Sequence, residues 1–374
     1  MRLMTTLLLL ATTACARAEP LTLVATETEA FRVVQVATGL EHPWGLALLP
    51  DGRMLVTERP GRVRIVAADG ELGPPLAGAP PVFVGGQGGM LDVALDPGFA
   101  ENRLIYLSYS HEAGAATTTR VVRARLGETA LEDVTVIFSA EPMITSRNHF
   151  GSRLAFLPDG TLLVTVGDRF GERDRAQELD NHLGKVIRIT TDGAAPADNP
   201  FVASRGARPE IWTYGHRNPQ GLVVDPGTGT VWEQEHGPRG GDEINRLRPG
   251  ANYGWPVITF GEEYSGGKIG EGTAKAGMEQ PDWVWVPSIA PSGMTLYGGE
   301  AFPSWRGDLL VGALAGQMLV RLDLDGEGRI TGEERMLEGE LGRIRDVRTA
   351  ADGRVYLLTD DDPGGIFRLE PAGD

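Results

Sequence analysis

Six related phrases constrain the fold of this chain more tightly than any other feature of its sequence. The first, "LALLPDGRMLVTERPGRVRIV" (46–66), reads as an apolar strand, a Pro-Asp-Gly turn, a second apolar strand and a third, alternating one. Related phrases recur at 93–110, 154–169, 222–237, 300–314 and 347–361. Their turns start near residues 50, 96, 158, 225, 303 and 351, at intervals of 46, 62, 67, 78 and 48 residues. Four strands of about five or six residues with their turns need roughly 40 to 45 residues, so every interval holds a four-stranded unit and the excess goes into loops. Six such units set radially protect most strand edges and bring loops together around a channel. The expected fold is therefore all-β: a six-bladed β-propeller with four-stranded antiparallel blades and a loop-built site at the central channel. A pair of β-sandwiches with PDG hairpins is the alternative that the same turns allow. The best helical stretch, 172–186, is interrupted by Gly184, and no linker or shift in composition marks a second domain, so residues 19–374 read as one domain.

The opening "MRLMTTLLLLATTACARAEP" combines Arg2, a short apolar run at 7–10 and small residues ending at Ala18, the layout of a secretory signal peptide over residues 1–18. The run is too short to cross a bilayer core of about 30 Å. The expected location is periplasmic or secreted. Cys15, the only cysteine, offers lipidation as the alternative, and membrane attachment would follow only from that. Once residues 1–18 are removed no thiol is left, so disulfides and thiolate chemistry are excluded and stability must come from a large core. With 51 acidic against 35 basic side chains, the net charge of −16 disfavours nucleic acid as a partner. The same excess of carboxylates suits calcium without placing it.

Several segments offer chemistry. In "SRNHFGSRLAFLPDG" (146–160) His149 precedes a strand, and Asp168 follows the next strand at "TVGDR". A hairpin turning at 158–160 returns the ends of its strands to one another, so Asp168 could orient His149 as a general base; a surface histidine is the bland alternative. In "TYGHRNPQGLVVDP" (213–226) Arg217 offers a planar cation for a carboxylate or oxyanion and Asn218 a neutral donor and acceptor. The same residues equally suit a polar turn with Arg217 in a surface ion pair. "EQEHGPRGGDEINRLRPGANYGWP" (233–256) joins acidic side chains to a Gly-Pro turn, making Gly237, Pro238, Asp242 and Glu243 a candidate calcium site without EF-hand spacing. "GGQGGMLD" (85–92) supplies Gln87 and bare backbone, but no G-x-G-x-x-G leading into a helix and no P-loop lysine. In "GRIRDV" (342–347) Arg343 and Arg345 fall on one face of a strand, where they could grip an anion or simply be solvated. Trp283 and Trp285 offer an aromatic wall or packing anchors.

Taken in order, "GGQGGMLD", "NHFGSRLAFLPDG", "GHRNPQGL", "EHGPRGGDE", "NYGWP", "PSIAPSG" and "RIRDV" resemble the soluble quinoprotein aldose sugar dehydrogenases, relatives of soluble glucose dehydrogenase that use pyrroloquinoline quinone (PQQ) and calcium. The resemblance covers nearly the whole chain after residue 18. It implies a six-bladed propeller and oxidation of the anomeric hydroxyl of an aldose to a lactone, with hydride passing to PQQ and electrons to an external acceptor. His149 matches the family's base, Asp168 its orienting carboxylate, and Arg217 the arginine that stabilises charge on the reacting quinone. Gln87, Asn218, Arg343 and Arg345 match groups that hold PQQ, and Tyr264 a further contact with it. Carbonyls of Gly237 and Pro238 match ligands of the calcium at the quinone, while Glu243 and Tyr253 fit a second, structural calcium. The chain departs from soluble glucose dehydrogenase at Ala315 (a lysine against PQQ there), Val286 (an aromatic near the sugar) and Asn148 (an acid beside the base), which leaves the preferred aldose open. It is also shorter, which implies a monomer or weak dimer. Two other readings stay open: a calcium-dependent propeller lactonase, and a noncatalytic propeller that binds a glycan or protein. Neither needs the cationic grips of Arg217, Arg343 and Arg345.

Overall fold

The computed structural model of the chain describes residues 20–373, so segment 1–18 and Cys15 lie outside the described residues. Each of the six turns found in the sequence joins the first two strands of a four-stranded antiparallel unit, and the six units form a six-bladed β-propeller. The first strands are Pro43–Leu48, Met90–Leu95, Leu154–Phe156, Pro219–Val224, Pro291–Leu296 and Ile344–Thr349, and they contact one another in a closed ring around the channel. The sixth sheet departs from the expected count. Its strands Ile344–Thr349, Val355–Thr359 and Gly364–Pro371 are completed by Ala30–Leu40, and Pro20–Ala25 adds a fifth at the edge. Pairing of Phe31 with Pro371 through Leu40 with Gly364 thus closes the ring between the two ends of the chain.

Burial on both faces explains why the inner strands read as continuous apolar runs. Every residue of Leu162–Val166 is buried. Its side chains alternate: Leu162 and Val164 join a cluster with Tyr106, Val121 and Phe138 of the preceding blade, whereas Leu163 joins Leu222 and Val231 of the following one. One such cluster fills each of the six blade interfaces. Trp283 and Trp285 prove to be packing anchors, since both indole N–H groups donate to Glu333 of the next blade, at 3.0 and 2.7 Å. The stretch 172–186 forms no α-helix: it holds a 3₁₀ turn, Arg173–Gln177, and the start of the strand Lys185–Ile189.

A buried ionic cluster divides the channel. Arg153 bonds Asp92 at 3.2 Å and Asp346 at 3.0 Å, and Arg348 meets the same two carboxylates at 3.1 and 3.0 Å. Residues near the starts of the first strands line a cavity on one side of it, and residues near their ends line another. The loops that carry the candidate site open on the first.

Candidate active site

The hairpin around residues 158–160 brings His149 and Asp168 together as its geometry requires. The pairing of Leu154–Phe156 with Leu162–Val166 is extended by Ser152 N–H donating to Thr165 O, at 2.7 Å. His149 Nδ1 then lies 2.6 Å from Asp168 Oδ1. A carboxylate only accepts, so Nδ1 carries the hydrogen and Nε2 keeps its lone pair. Asp168 is itself held, accepting from Phe170 N–H at 2.7 Å and from the Trp255 indole at 2.7 Å. Burial pulls the His149 pKa below the ordinary imidazole value and outweighs what Asp168 restores, with the charges of Arg217 and Arg169 adding smaller pushes in the same downward direction. Burial alone would raise the Asp168 carboxyl, but its bond to His149, the charge of Arg217 and the Phe170 N–H leave it below its usual value. The pair is thus a neutral imidazole on an ionised orienter, a base ready to take a proton at neutral pH. This excludes the surface-histidine alternative.

Close approach of the backbone makes this placement possible. A Cβ on Gly167 would stand 2.3 Å from His149 O and 3.1 Å from Asn218 Oδ1. Gly167→Ala is expected to lower the thermal midpoint by the equivalent of about 1–3 kcal/mol, the usual cost of overpacking, and to reduce turnover through displacement of His149. An unchanged midpoint in a melting curve would contradict it.

Arg217 is buried and makes no surface ion pair. Its Nη1 donates to the carbonyls of His236 at 2.9 Å and Gly237 at 2.6 Å, and Nη2 to the Tyr264 hydroxyl at 3.3 Å. Its own carbonyl accepts from Asp168 N–H at 2.8 Å, which fixes it to the dyad. Asn218 Oδ1 accepts from Gly151 and Gln220, but its buried Nδ2 finds no acceptor among the described residues.

Beside the dyad lies a cavity of about 340 Å³, in the size range of small-molecule sites. Gln87 lines it and accepts the His149 N–H at 2.7 Å, which joins cavity and base. Arg343, Arg345 and Arg59 also line it, with Asp360 as their shared carboxylate. Arg345 meets Asp360 at 2.8 Å and Arg343 at 3.5 Å. Three guanidiniums against one carboxylate leave an excess of positive charge, and the buried Nε atoms of Arg59 and Arg345 have no partner among the described residues. Such a cationic wall suits an anion; Arg345 is buried in it, whereas Arg343 stays partly solvated. Arg59 was not legible in the sequence, because it sits in the turn "ERPGR" with nothing to set it apart. His236, quoted only for the carbonyls beside it, also lines the cavity. Its Nε2–H donates to Pro291 O at 2.6 Å, and burial, reinforced by Arg217 and Arg345, pushes its pKa down to about 3. It is a neutral acceptor through Nδ1.

Oxygen ligands gather on one face of the fourth blade. Glu233 and Glu235 alternate on strand Val231–Glu235, and Asn245 and Glu243 stand opposite them in register. Ligand atoms of His216, Glu233 and Glu235 lie within 4.8 Å of one another, the one such group among the described residues. Glu233 Oε1 is buried without a hydrogen-bond partner among the described residues. Burial, and then the neighbouring Glu235, push the carboxyls of Glu233 and Glu243 well above the usual range. A void of about 10 Å³ among Arg217, Glu235, Gly237, Glu243 and Tyr253 has room for about one water-sized sphere. Two expectations change in detail. The Gly237 carbonyl is engaged by Arg217. The Tyr253 hydroxyl, bonded to Arg246 O and Arg248 N–H at 2.8 Å each, is turned to the backbone, so its carbonyl is what it has to offer an ion. Asp242 is spent on structure, accepting from Gly237, Ser288, Ile289 and Ala290.

Residues 40–368 match the family model described as glucose/sorbosone dehydrogenase. The aldose sugar dehydrogenase YliI of Escherichia coli is 45% identical over 339 residues, covering 89% of this chain and 91% of that protein. The solved apo-form of the soluble aldose sugar dehydrogenase of Escherichia coli superposes with a TM-score of 0.88 at 43% identity, covering 91% of this chain and 99% of that one. The PQQ-bound aldose sugar dehydrogenase of Streptomyces coelicolor superposes with a TM-score of 0.76 at 30% identity, covering 92% and 99%.

Proposed function

Because the chain belongs to the glucose/sorbosone dehydrogenase family, we propose that it oxidises the anomeric hydroxyl of aldoses to lactones, with PQQ as its cofactor, calcium as a required ion and an external electron acceptor. The observation that carries this reading is the meeting of a neutral base with a cavity whose arginines outnumber their carboxylate. A lactonase or a glycan-binding propeller would have no use for that excess of cations.

PQQ, when bound, supplies a two-electron quinone acceptor, which no side chain can provide. The chain's own part is positional and acid–base. Arg59, Arg343 and Arg345 match the carboxylates of PQQ, and the unpartnered Nδ2 of Asn218 and the Gln87 carboxamide offer it neutral contacts. His149 Nε2 takes the proton of the anomeric hydroxyl. Asp168 keeps Nδ1 protonated and stabilises the imidazolium that forms. Arg217, clamped to two carbonyls, holds a fixed positive charge on the adjoining wall. Tyr264 borders it at the mouth. Titration of the apoprotein with PQQ, followed by quenching of tryptophan fluorescence, should show saturable uptake of one equivalent; absence of uptake would sink the reading.

Calcium is proposed at two places, the Gly237 and Pro238 carbonyls and the Glu243–Tyr253 position beside Glu233 and Glu235. Its effect on stability has a definite sign. Carboxyls raised in the folded state bind protons there that the unfolded chain has released, so metal-free stability falls as pH rises above the ordinary glutamate pKa of about 4.3. A bound cation removes that loss. The calcium-induced rise in thermal midpoint should therefore be larger at pH 8 than at pH 5, and shrink in a Glu243→Gln variant. An equal rise at both pH values would contradict the assignment. Export to the periplasm or medium, and a monomeric or weakly dimeric state, complete the proposal; they rest on segment 1–18 and on chain length.

A further inference from the structure

Two consecutive non-glycine residues, Arg169 (φ 62°) and Phe170 (φ 68°), adopt the left-handed conformation directly after Asp168. Side chains of L-residues avoid it, and it persists only where the surroundings over-determine it. They do so here. Arg169 Nε donates to Asn148 O at 3.0 Å, Nη1 to Thr117 O at 3.0 Å, and Nη2 to Thr117 Oγ1 and Ser146 O at 2.8 Å each. Its guanidinium also lies 3.9 Å from the centre of the Phe150 ring. Phe170 N–H is bound by Asp168, Gly171 N–H donates back to Arg169 O at 2.9 Å, and Arg173 ties the following turn to Glu263 at 2.6 Å.

What this frame holds in place is an apolar ring with half its surface in solvent, at 50% exposure. The Phe170 ring meets the edge of His149 at 5.2 Å between centres and an angle of 78°. Core packing does not account for a side chain so exposed, and a strained, well-held conformation beside a base points to a role in the site. The base must receive an anomeric hydroxyl, and the ring bearing that hydroxyl then falls within reach of Phe170. A pyranose has an apolar C–H face as well as its hydroxyls, and an aromatic ring offers that face a flat, electron-rich partner.

We propose that Phe170 is a specificity-determining residue that packs against the C–H face of the aldose ring whose anomeric hydroxyl is presented to His149. This deepens the proposed function and rests on it. The test uses PQQ-loaded enzyme with Phe170→Gly and Phe170→Trp. Glycine adopts this φ freely, so a merely structural side chain and a substrate-binding one give opposite results. Expected for Phe170→Gly are an unchanged or higher thermal midpoint, a KM for glucose raised about tenfold, the upper range for one aromatic contact, and a kcat and acid limb of the pH profile left within about threefold. The inhibition constant of 1,5-anhydroglucitol, which lacks the anomeric hydroxyl, should rise by the same factor. Phe170→Trp should keep both constants near wild type. An unchanged KM and inhibition constant in Phe170→Gly would overturn the proposal. So would a shifted acid limb with an unchanged inhibition constant, which would make Phe170 only a neighbour of His149. Wild-type enzyme that takes up PQQ but oxidises no aldose would remove the premise, whatever the variants do.

Discussion

Replacing His149 by alanine is expected to leave PQQ binding intact and to lower aldose turnover by a factor of about 10² to 10⁴, the usual worth of a positioned general base. The imidazole is the one group in the site with a free lone pair, a carboxylate behind it and a pKa that keeps it neutral. Its N–H to Gln87 comes from the main chain, so truncating the side chain leaves that bond in place. In wild type the acid limb of kcat/KM should lie below the ordinary histidine value of about 6.5, because burial lowers the His149 pKa. Asp168→Asn should also lose most turnover, since a carboxamide no longer demands the Nδ1–H tautomer, while the Trp255 indole can still be accepted by its oxygen. Wild-type rates in His149→Ala would remove it from its role.

Replacing Arg345 by glutamine should act on the other half of the site, weakening PQQ binding while leaving the dyad in place. Arg345 is buried, bonded to Asp360 at 2.8 Å and to Gln220 at 3.3 Å, and keeps an unpartnered Nε. Truncating one side of a buried charge pair costs about 2–5 kcal/mol, which corresponds to a dissociation constant raised roughly 30-fold or more. The loss should be greater still with Arg343→Gln added, because Arg59 is then the one guanidinium of the three left beside Asp360. Equilibrium titration of the apoprotein measures it, and a melting curve separates lost affinity from lost fold. An unchanged constant would show that the anion lies elsewhere.

Features of the fold and site that are legible in the sequence are those governed by short-range geometry. A hairpin returns residues on either side of its turn to one place, so His149 and Asp168 could be paired from the turn at 158–160 alone. Residues two apart in a strand share a face, so Arg343 and Arg345 could be paired as well. Groups that meet only through the closure of the ring were not legible. Arg59 and Asp360 come from the first and sixth blades, nearly the length of the chain apart, and nothing sets either of them apart within the repeated phrase that contains it. The cluster of Glu233, Glu235 and Glu243 needs the register of two neighbouring strands, in which a slip of one residue would turn the acids to opposite faces. The N-terminal strand Ala30–Leu40 also escaped notice, because it completes the sixth blade without a Pro-Asp-Gly turn of its own. Phe170 carries no sequence signal at all, since its left-handed backbone is imposed by the anchoring of Arg169.

Reduction of an artificial electron-accepting dye by purified apoprotein shows whether this propeller joins a PQQ site to a sugar-oxidising base. The assay is run with and without PQQ and calcium across a panel of mono- and disaccharides. Dye reduction is expected with aldoses only when PQQ and calcium are both present, and none with sugars lacking a free anomeric hydroxyl. No PQQ-dependent turnover with any aldose would contradict it.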